Sequence, residues 1–524
     1  MPEKPFADAR ACASEITSIC IVGGGTAGWM TAAALAKKLA GLPVTIRLIE
    51  SAEIGTVGVG EATLPHIRAF NSALNIDEAE LMRETEATFK LGIEFCDWGR
   101  IGDRYIHPFG DFGPAIDGVP FYHHWLRLRA SGAAGGAAGR LDDYSFPIVA
   151  AEHNRFQHPI SDLDRLESTF GYAYQFDASR YGAYLRRYAE ARGVERVEGM
   201  VKDVRLNVDS GFVQAVSLAD QRVFAADLFI DCSGFRGLLI EGALAAGYDD
   251  WSDWLPCNRA IAVPTQSRGP LGPFTRATAR TAGWQWRIPL QHRVGNGHVY
   301  CNSFISDDEA ERQLIENLDA PMQAAPRRLA FTTGRRRAFW KRNVVAIGLA
   351  GGFLEPLEST SIHLIQDGIT ELLALFPDRG FDAPSTAEYN RRMGLHYERV
   401  RDFLLLHYVA TQRDDSPFWR HFRALKLPDS LQEKIEAWTT RGYVVPYEFG
   451  LFLPPSWVAV MMGQNLLPKG YDPRANTIGD AALAARAAAV HDAVTRAVRA
   501  TPDHADYIRR IGAAGSLSVP ATAA

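Results

Sequence analysis

The sequence predicts an α/β fold of two lobes, with a core built on a parallel sheet, a second lobe inserted into it and a mainly helical C-terminal region. Three observations lead there. Ile19-Cys20-Ile21-Val22 is a short apolar run of the kind buried on both faces of a parallel sheet. A glycine cluster, a helix-like stretch over 27–39 and a second apolar run over 44–49, closed by Glu50, complete a βαβ unit at the front of the chain. Asp227-Leu228-Phe229-Ile230-Asp231 and Asn343-Val344-Val345-Ala346-Ile347-Gly348 read as two more buried strands, and 387–409 and 480–500 read as helices.

The glycine cluster is Gly23-Gly24-Gly25-Thr26-Ala27-Gly28, a G-x-G-x-x-G turn between strand and helix. Gly23, Gly25 and Gly28 let the backbone turn tightly and approach a pyrophosphate. Thr26 and Ala27 open a helix whose free N–H groups and positive dipole end face that anion. Glu50 follows Gly28 by 22 residues, the place from which an acid accepts hydrogen bonds from a ribose. FAD and NAD share this turn. The stretches around Asp231-Cys232-Ser233-Gly234 and Gly348-Leu349-Ala350-Gly351 resemble the inner segments that complete FAD sites in two-lobed flavoproteins, which puts Asp231 near the flavin or its ribityl chain. No second dinucleotide turn is present, so electrons are expected from diffusible FADH2 or a partner reductase. The core is therefore predicted as a Rossmann-type FAD-binding unit over 1–380, interrupted by substrate-lobe segments near 105–175 and 250–320. A helical substrate-lobe region over 381–511 and a disordered tail over 512–524 follow. The Ala/Gly/Ser-rich segment 131–139 is predicted to be a mobile loop.

Composition narrows the function classes. Of 524 residues 47% are hydrophobic, enough for a large core, and 27 Phe, 17 Tyr and 11 Trp suit a pocket for planar ligands. A net charge of -5 with no long basic run argues against nucleic acid and membrane surfaces. Six scattered cysteines without a C-x-x-C pair argue against structural zinc, leaving no metal expected, and against a disulfide framework. With neither a leader nor a membrane span visible, a cytoplasmic enzyme is the expectation.

Three further stretches bear on chemistry. Gly283-Trp284-Gln285-Trp286-Arg287-Ile288-Pro289, as a strand, puts Trp284, Trp286 and Ile288 on one face. Thr88-Phe89-Lys90-Leu91-Gly92-Ile93-Glu94-Phe95 alternates, with Lys90, Gly92 and Glu94 opposite the apolar face, where a lysine is ordinarily solvated. Glu355-Pro356-Leu357-Glu358-Ser359-Thr360-Ser361-Ile362-His363 is either a helix N-terminus or an anion nest.

Together, from the glycine turn to about Pro473, these motifs closely resemble the flavin-dependent tryptophan halogenases; Gly60-Glu61-Ala62-Thr63 also matches that family's flavin-contacting segment. The resemblance implies cofactor contacts at Glu61, Ala62, Val201, Leu349 and Ile362. It implies that FADH2 and oxygen turn chloride or bromide held at Thr360 and Ser361 into hypohalous acid. A lysine, here Lys90, would then direct the acid onto an electron-rich ring, by hydrogen bond or as a haloamine, and Glu358 would be the second essential residue. The expected partners are a separate flavin reductase and a small aromatic substrate, and a homodimer is one expected assembly. A flavin-dependent aromatic hydroxylase and a non-catalytic FAD-binding protein stay open as alternatives.

By the same resemblance, His107 and Phe109 of His107-Pro108-Phe109-Gly110 line the substrate and Trp457 completes a ring sandwich. The tyrosines and the glutamate that grip free tryptophan in the family are replaced by Val444-Val445-Pro446, Phe452 and Ser456, with Glu448 out of register. An indole or indole derivative is therefore expected in preference to tryptophan.

Overall fold

The computed structural model describes residues 15–52, 60–131 and 139–517; most of the predicted mobile loop lies outside them. The opening βαβ unit forms as predicted: strand Ser18–Val22, helix Thr26–Lys38 and strand Thr45–Glu50. They build a six-stranded sheet in the order Trp340–Lys341, Val344–Ala346, Leu228–Asp231, Ser18–Val22, Thr45–Glu50 and Glu195–Glu198. All neighbours pair in parallel except the first two strands. Leu228–Asp231 and Val344–Ala346, taken from distant parts of the chain, are the two further strands read as apolar runs, and both are buried, whereas Glu195–Glu198 and Trp340–Lys341 were not read from the sequence.

A second, seven-stranded sheet runs Arg327–Ala330, Arg259–Thr265, Val294–Tyr300, Gly283–Pro289, Phe274–Arg280, Gly92–Cys96 and Arg104–Pro108. Trp284 and Trp286 sit on its Gly283–Pro289 strand with ring centroids 6.1 Å apart, as the alternation predicts. A small sheet, ordered Gly60–Ala62, Ala173–Asp177 and Thr88–Lys90, packs against the seven-stranded one.

The single strand predicted over 88–95 is broken. It ends at Lys90 in the small sheet and resumes at Gly92 in the large one, with Leu91 donating its N–H to the Pro273 carbonyl between them. Because the chain crosses from sheet to sheet, both of its faces are covered. Lys90 and Glu94 are buried rather than solvated.

Helices Ala383–Val409 and Asp480–Ala500 match the predicted C-terminal region. The tail predicted as disordered over 512–524 is ordered in its described part: Ala513 is buried, Gly515 donates its N–H to Gln291, and Ser516 bonds Glu86 through N–H and hydroxyl, while 518–524 lie outside the described residues. Among the described residues no helix is long and apolar enough to cross a membrane.

Candidate active site

The glycine turn is shaped by steric exclusion. A Cβ on Gly28 would lie 1.9 Å from the Gly23 carbonyl oxygen, and one on Gly23, at φ +112°, would lie 2.2 Å from that of Cys232. Both glycines are needed to close helix onto strand. Gly25 differs: a Cβ there meets nothing within 4 Å, and as N-cap it gives the helix no side-chain cap. Open space at uncapped N–H groups is what a pyrophosphate requires, so Gly25, Thr26 and Ala27 fit that group. Gly348 closes the far side, since a Cβ on it would reach 2.7 Å from Ala27 Cβ, and this sets half-buried Leu349 beside the turn.

Glu50 accepts from Trp29 Nε1 on one carboxylate oxygen and from Arg196 on the other. Each oxygen keeps a second lone pair for a ribose hydroxyl. Val201, half-buried, opens the strand Val201–Leu206. Glu61 and Ala62 lie on the small sheet, and burial pushes the Glu61 carboxyl up to about 7. Ile362 is buried in the first turn of helix Ser361–Ala374.

Asp231 ends its strand with its carboxylate bonded to the segment that follows. One of its oxygens accepts from Ser233 N–H and hydroxyl, the other from the N–H groups of Leu239 and Ile240. Its four lone-pair sites are thus spent holding the loop and the helical turn that follow. The carboxylate organises the edge of the core.

The chemistry-bearing residues meet across the lobes. Lys90 is fully buried and its ammonium donates to the Thr63 carbonyl at 3.0 Å and to Ser359 Oγ at 2.9 Å. It also lies 5.2 Å from the centre of the Phe109 ring. Burial lowers the lysine to about 7, the negative charge of Glu358 pulling it back upward. Glu358 is equally buried. His107 Nδ1 stands 3.0 and 2.9 Å from its two oxygens, and His407 Nε2 stands 2.9 Å from Oε1. Burial alone would raise Glu358; His107 and His407 outweigh it and hold the carboxyl down at about 2.

Backbone strain sets this geometry. Ser359 adopts φ +59°, ψ +36°, a left-handed conformation that a non-glycine residue takes at a cost. The reversal sends the Ser359 hydroxyl to Lys90. Thr360 then caps the next helix without using its side chain, and its buried hydroxyl has no partner among the described residues. A buried, unpaired O–H beside the N–H groups of a helix start fits a small anion, and Ser361 is the helix's first residue.

The rings around His107 come from three parts of the chain. The aromatic neighbours of His107 are Phe109, Phe403 and Phe452, at 6.4, 5.5 and 6.0 Å between centroids. Phe403 and Phe452 stack at 3.8 Å. Trp457 is buried behind them: it touches Phe403 and Tyr447, its Nε1 donates to the Phe452 carbonyl, and Lys434 Nζ lies 4.3 Å from its ring centre. Phe403 therefore links the His107 ring to the Trp457 ring. His407, Ser359 and Phe403 escaped the sequence reading. His407 and Phe403 lie inside a regular helix with no local signature, whereas Ser359 lay within a motif already singled out.

The comparisons with known proteins follow the same outline. The family model described as tryptophan halogenase matches residues 18–480. The tryptophan 6-halogenase SttH of Streptomyces toxytricini is 36% identical over 94% of this chain and 98% of its own length. Among solved structures, BrvH, a flavin-dependent halogenase from Brevundimonas sp. BAL3, superposes with a TM-score of 0.91 at 44% identity, covering 95% of this chain and 99% of that one. Xcc4156, a flavin-dependent halogenase from Xanthomonas campestris, gives the same score and identity over 95% and 98%. With the glycine turn, the paired tryptophans and the Glu358–Thr360 bend in one frame, the chain belongs to the flavin-dependent tryptophan halogenase family, enzymes that use FADH2 and halide.

Proposed function

We propose that this enzyme halogenates an indole or a neutral indole derivative, with Lys90 delivering the oxidised halogen and Glu358 stabilising the cationic ring. The observation that carries this is the joint burial of Lys90 and Glu358 around the His107, Phe109, Phe403 and Phe452 rings. When bound, reduced FAD supplies with oxygen the oxidising power that converts halide to hypohalous acid. Gly23, Gly25, Thr26, Ala27, Gly28, Glu50, Glu61, Ala62, Val201, Leu349 and Ile362 would hold it, and Thr360 and Ser361 would hold the halide. Two protons of the Lys90 ammonium are committed to Thr63 and Ser359, and the third is left to polarise the hypohalous acid. In the low dielectric of the buried compartment, the Glu358 charge favours the ring cation.

The substrate preference rests on charges already spent. Asp402 accepts from Arg401, Ser430 and Tyr447, Lys434 donates to the Val445 carbonyl, and Glu448 lies at the surface beside Arg391. An amino acid's ammonium and carboxylate would find stacked Phe403 and Phe452 instead of partners. SttH is named for tryptophan, and the segment Val444-Val445-Pro446 with Phe452 is where this chain is proposed to part from it.

The test is an assay with a separate flavin reductase, NADH, FAD, oxygen, bromide and indole. Brominated indole that requires both bromide and the reductase is expected. A hydroxylated product formed equally without bromide would favour the hydroxylase reading, and equal turnover without reductase would remove that partner.

A further inference from the structure

Glu358 touches two histidines, and their other ring nitrogens define how many protons the group holds. His407 Nδ1 lies 2.8 Å from the Phe403 carbonyl oxygen, one turn back in the same helix. A carbonyl can only accept, so Nδ1 carries a proton. His407 Nε2 lies 2.9 Å from Glu358 Oε1. This is an ion-pair distance and not an aligned hydrogen bond, yet two unprotonated groups that close and fully buried would repel, so the pair holds a proton. His107 and His407 together hold the Glu358 carboxyl down at about 2, so that proton does not rest on Glu358. On the other side, the bifurcated contact from His107 Nδ1 to both carboxylate oxygens places the His107 proton on Nδ1. That leaves Nε2 as the basic nitrogen, the one Glu358 does not engage. The His107 ring is set among Phe109, Phe403 and Phe452, the apolar walls of the compartment.

We propose that His407 is a positioning residue for the reaction: it keeps Glu358 a carboxylate, Glu358 fixes the His107 tautomer, and His107 Nε2 takes the proton released when the halogenated ring regains aromaticity. In that step the ring C–H bond breaks, its electron pair returns to the ring, and an N–H bond forms at Nε2. Glu358 stays ionised throughout and offsets the charge gained by His107. The order carbonyl, histidine, carboxylate, histidine follows the logic by which a buried carboxylate orients a catalytic imidazole. The other titratable groups facing Glu358 are Lys90 from the small sheet and Tyr105 from the strand that carries His107. Tyr105 is neutral, and Lys90 is committed to Thr63 and Ser359, so neither replaces His407 beside Oε1.

The inference rests on the function proposed above, and its first test does not require turnover. Infrared spectra of the apoprotein at pH 7 would be recorded for wild type, His407→Phe, Glu358→Gln and the double variant. His407→Phe is expected to gain one protonated-carboxyl band that the double variant lacks. Glu61 and Glu355, each pushed up by burial to about 7, contribute bands common to all four proteins. No gained band in a His407→Phe protein that melts normally would overturn the proposal. If that variant does not fold, His407→Gln, which keeps a donor without the charge, replaces it with the same expectation. In the second test, bromination of perdeuterated indole is compared with that of indole. His407→Phe should lose at least tenfold in kcat with KM changed less than twofold, and should acquire a primary isotope effect. A lost kcat without an isotope effect would contradict the role given to His107. If Glu358→Gln halogenates normally, the function proposed for Glu358 fails rather than the placement of His407.

Discussion

The glycine turn and the aromatic compartment sit at opposite ends of what a sequence can reveal. The turn is contiguous: six residues with a strand before and a helix after, in which Gly28 is confined by Gly23 five residues back, although Gly23 itself is confined by the distant Cys232 carbonyl. The compartment is assembled from Lys90, His107, Glu358, Phe403, His407 and Phe452, which share no local pattern and meet only because two sheets and one long helix converge. Conformational constraints between near neighbours leave a mark on residue type; constraints imposed by packing across the lobes leave almost none.

The comparison sharpens first at the substrate. With equal indole and tryptophan and excess bromide, brominated indole should exceed bromotryptophan by at least tenfold. Burying a zwitterion without partners costs several kcal/mol, and about 1.4 kcal/mol is a factor of ten. Predominant bromotryptophan, quantified by mass spectrometry, would show that a charged side chain near Val445 turns inward to meet it.

Next comes the turn itself. Gly25→Ala should leave the melting temperature unchanged, because the new methyl meets open space, yet weaken FAD about tenfold in a fluorescence titration. Gly28→Ala should lower stability by more than about 2 kcal/mol, since its methyl would overlap the Gly23 carbonyl. If both variants lose stability equally, Gly25 is a structural glycine and the pyrophosphate assignment falls.

The smallest effect concerns the cost of a buried lysine. Its folded value of about 7 lies below the ordinary 10.5, so the unfolded chain binds the extra proton between those limits. The penalty on the folded state is therefore full below pH 7 and relieved as pH rises toward 10. Lys90→Met should raise the melting temperature by a few degrees more at pH 6 than at pH 9. An equal shift at both values would mean that Lys90 keeps an ordinary proton affinity.

How much was legible follows from these contrasts. The opening βαβ unit, the tryptophan strand and the C-terminal helices were readable because apolar period and glycine position are local signals. Lys90 looked solvated by alternation, and only its passage between two sheets buries it. Asp231 was read as a cofactor contact at a strand end; the four donors that its carboxylate meets come from residues just downstream. Phe403 was missed beside Trp457 because contact between a helix residue and Phe452 in a distant loop has no sequence signature. His407 is one of several histidines in or near helices, and nothing but its contact with Glu358 distinguishes it.

The central claim is that Lys90 directs the halogen while the glycine turn holds the cofactor, two functions in separate parts of one chain. Lys90→Ala tests it directly: FAD is titrated into the variant, and bromination of indole is then measured with a flavin reductase. Wild-type FAD affinity with bromination below about one percent of wild type is the predicted result, since loss of a directing group costs at least ~10²-fold. Bromination retained above that level, or FAD affinity lost with it, would contradict the account.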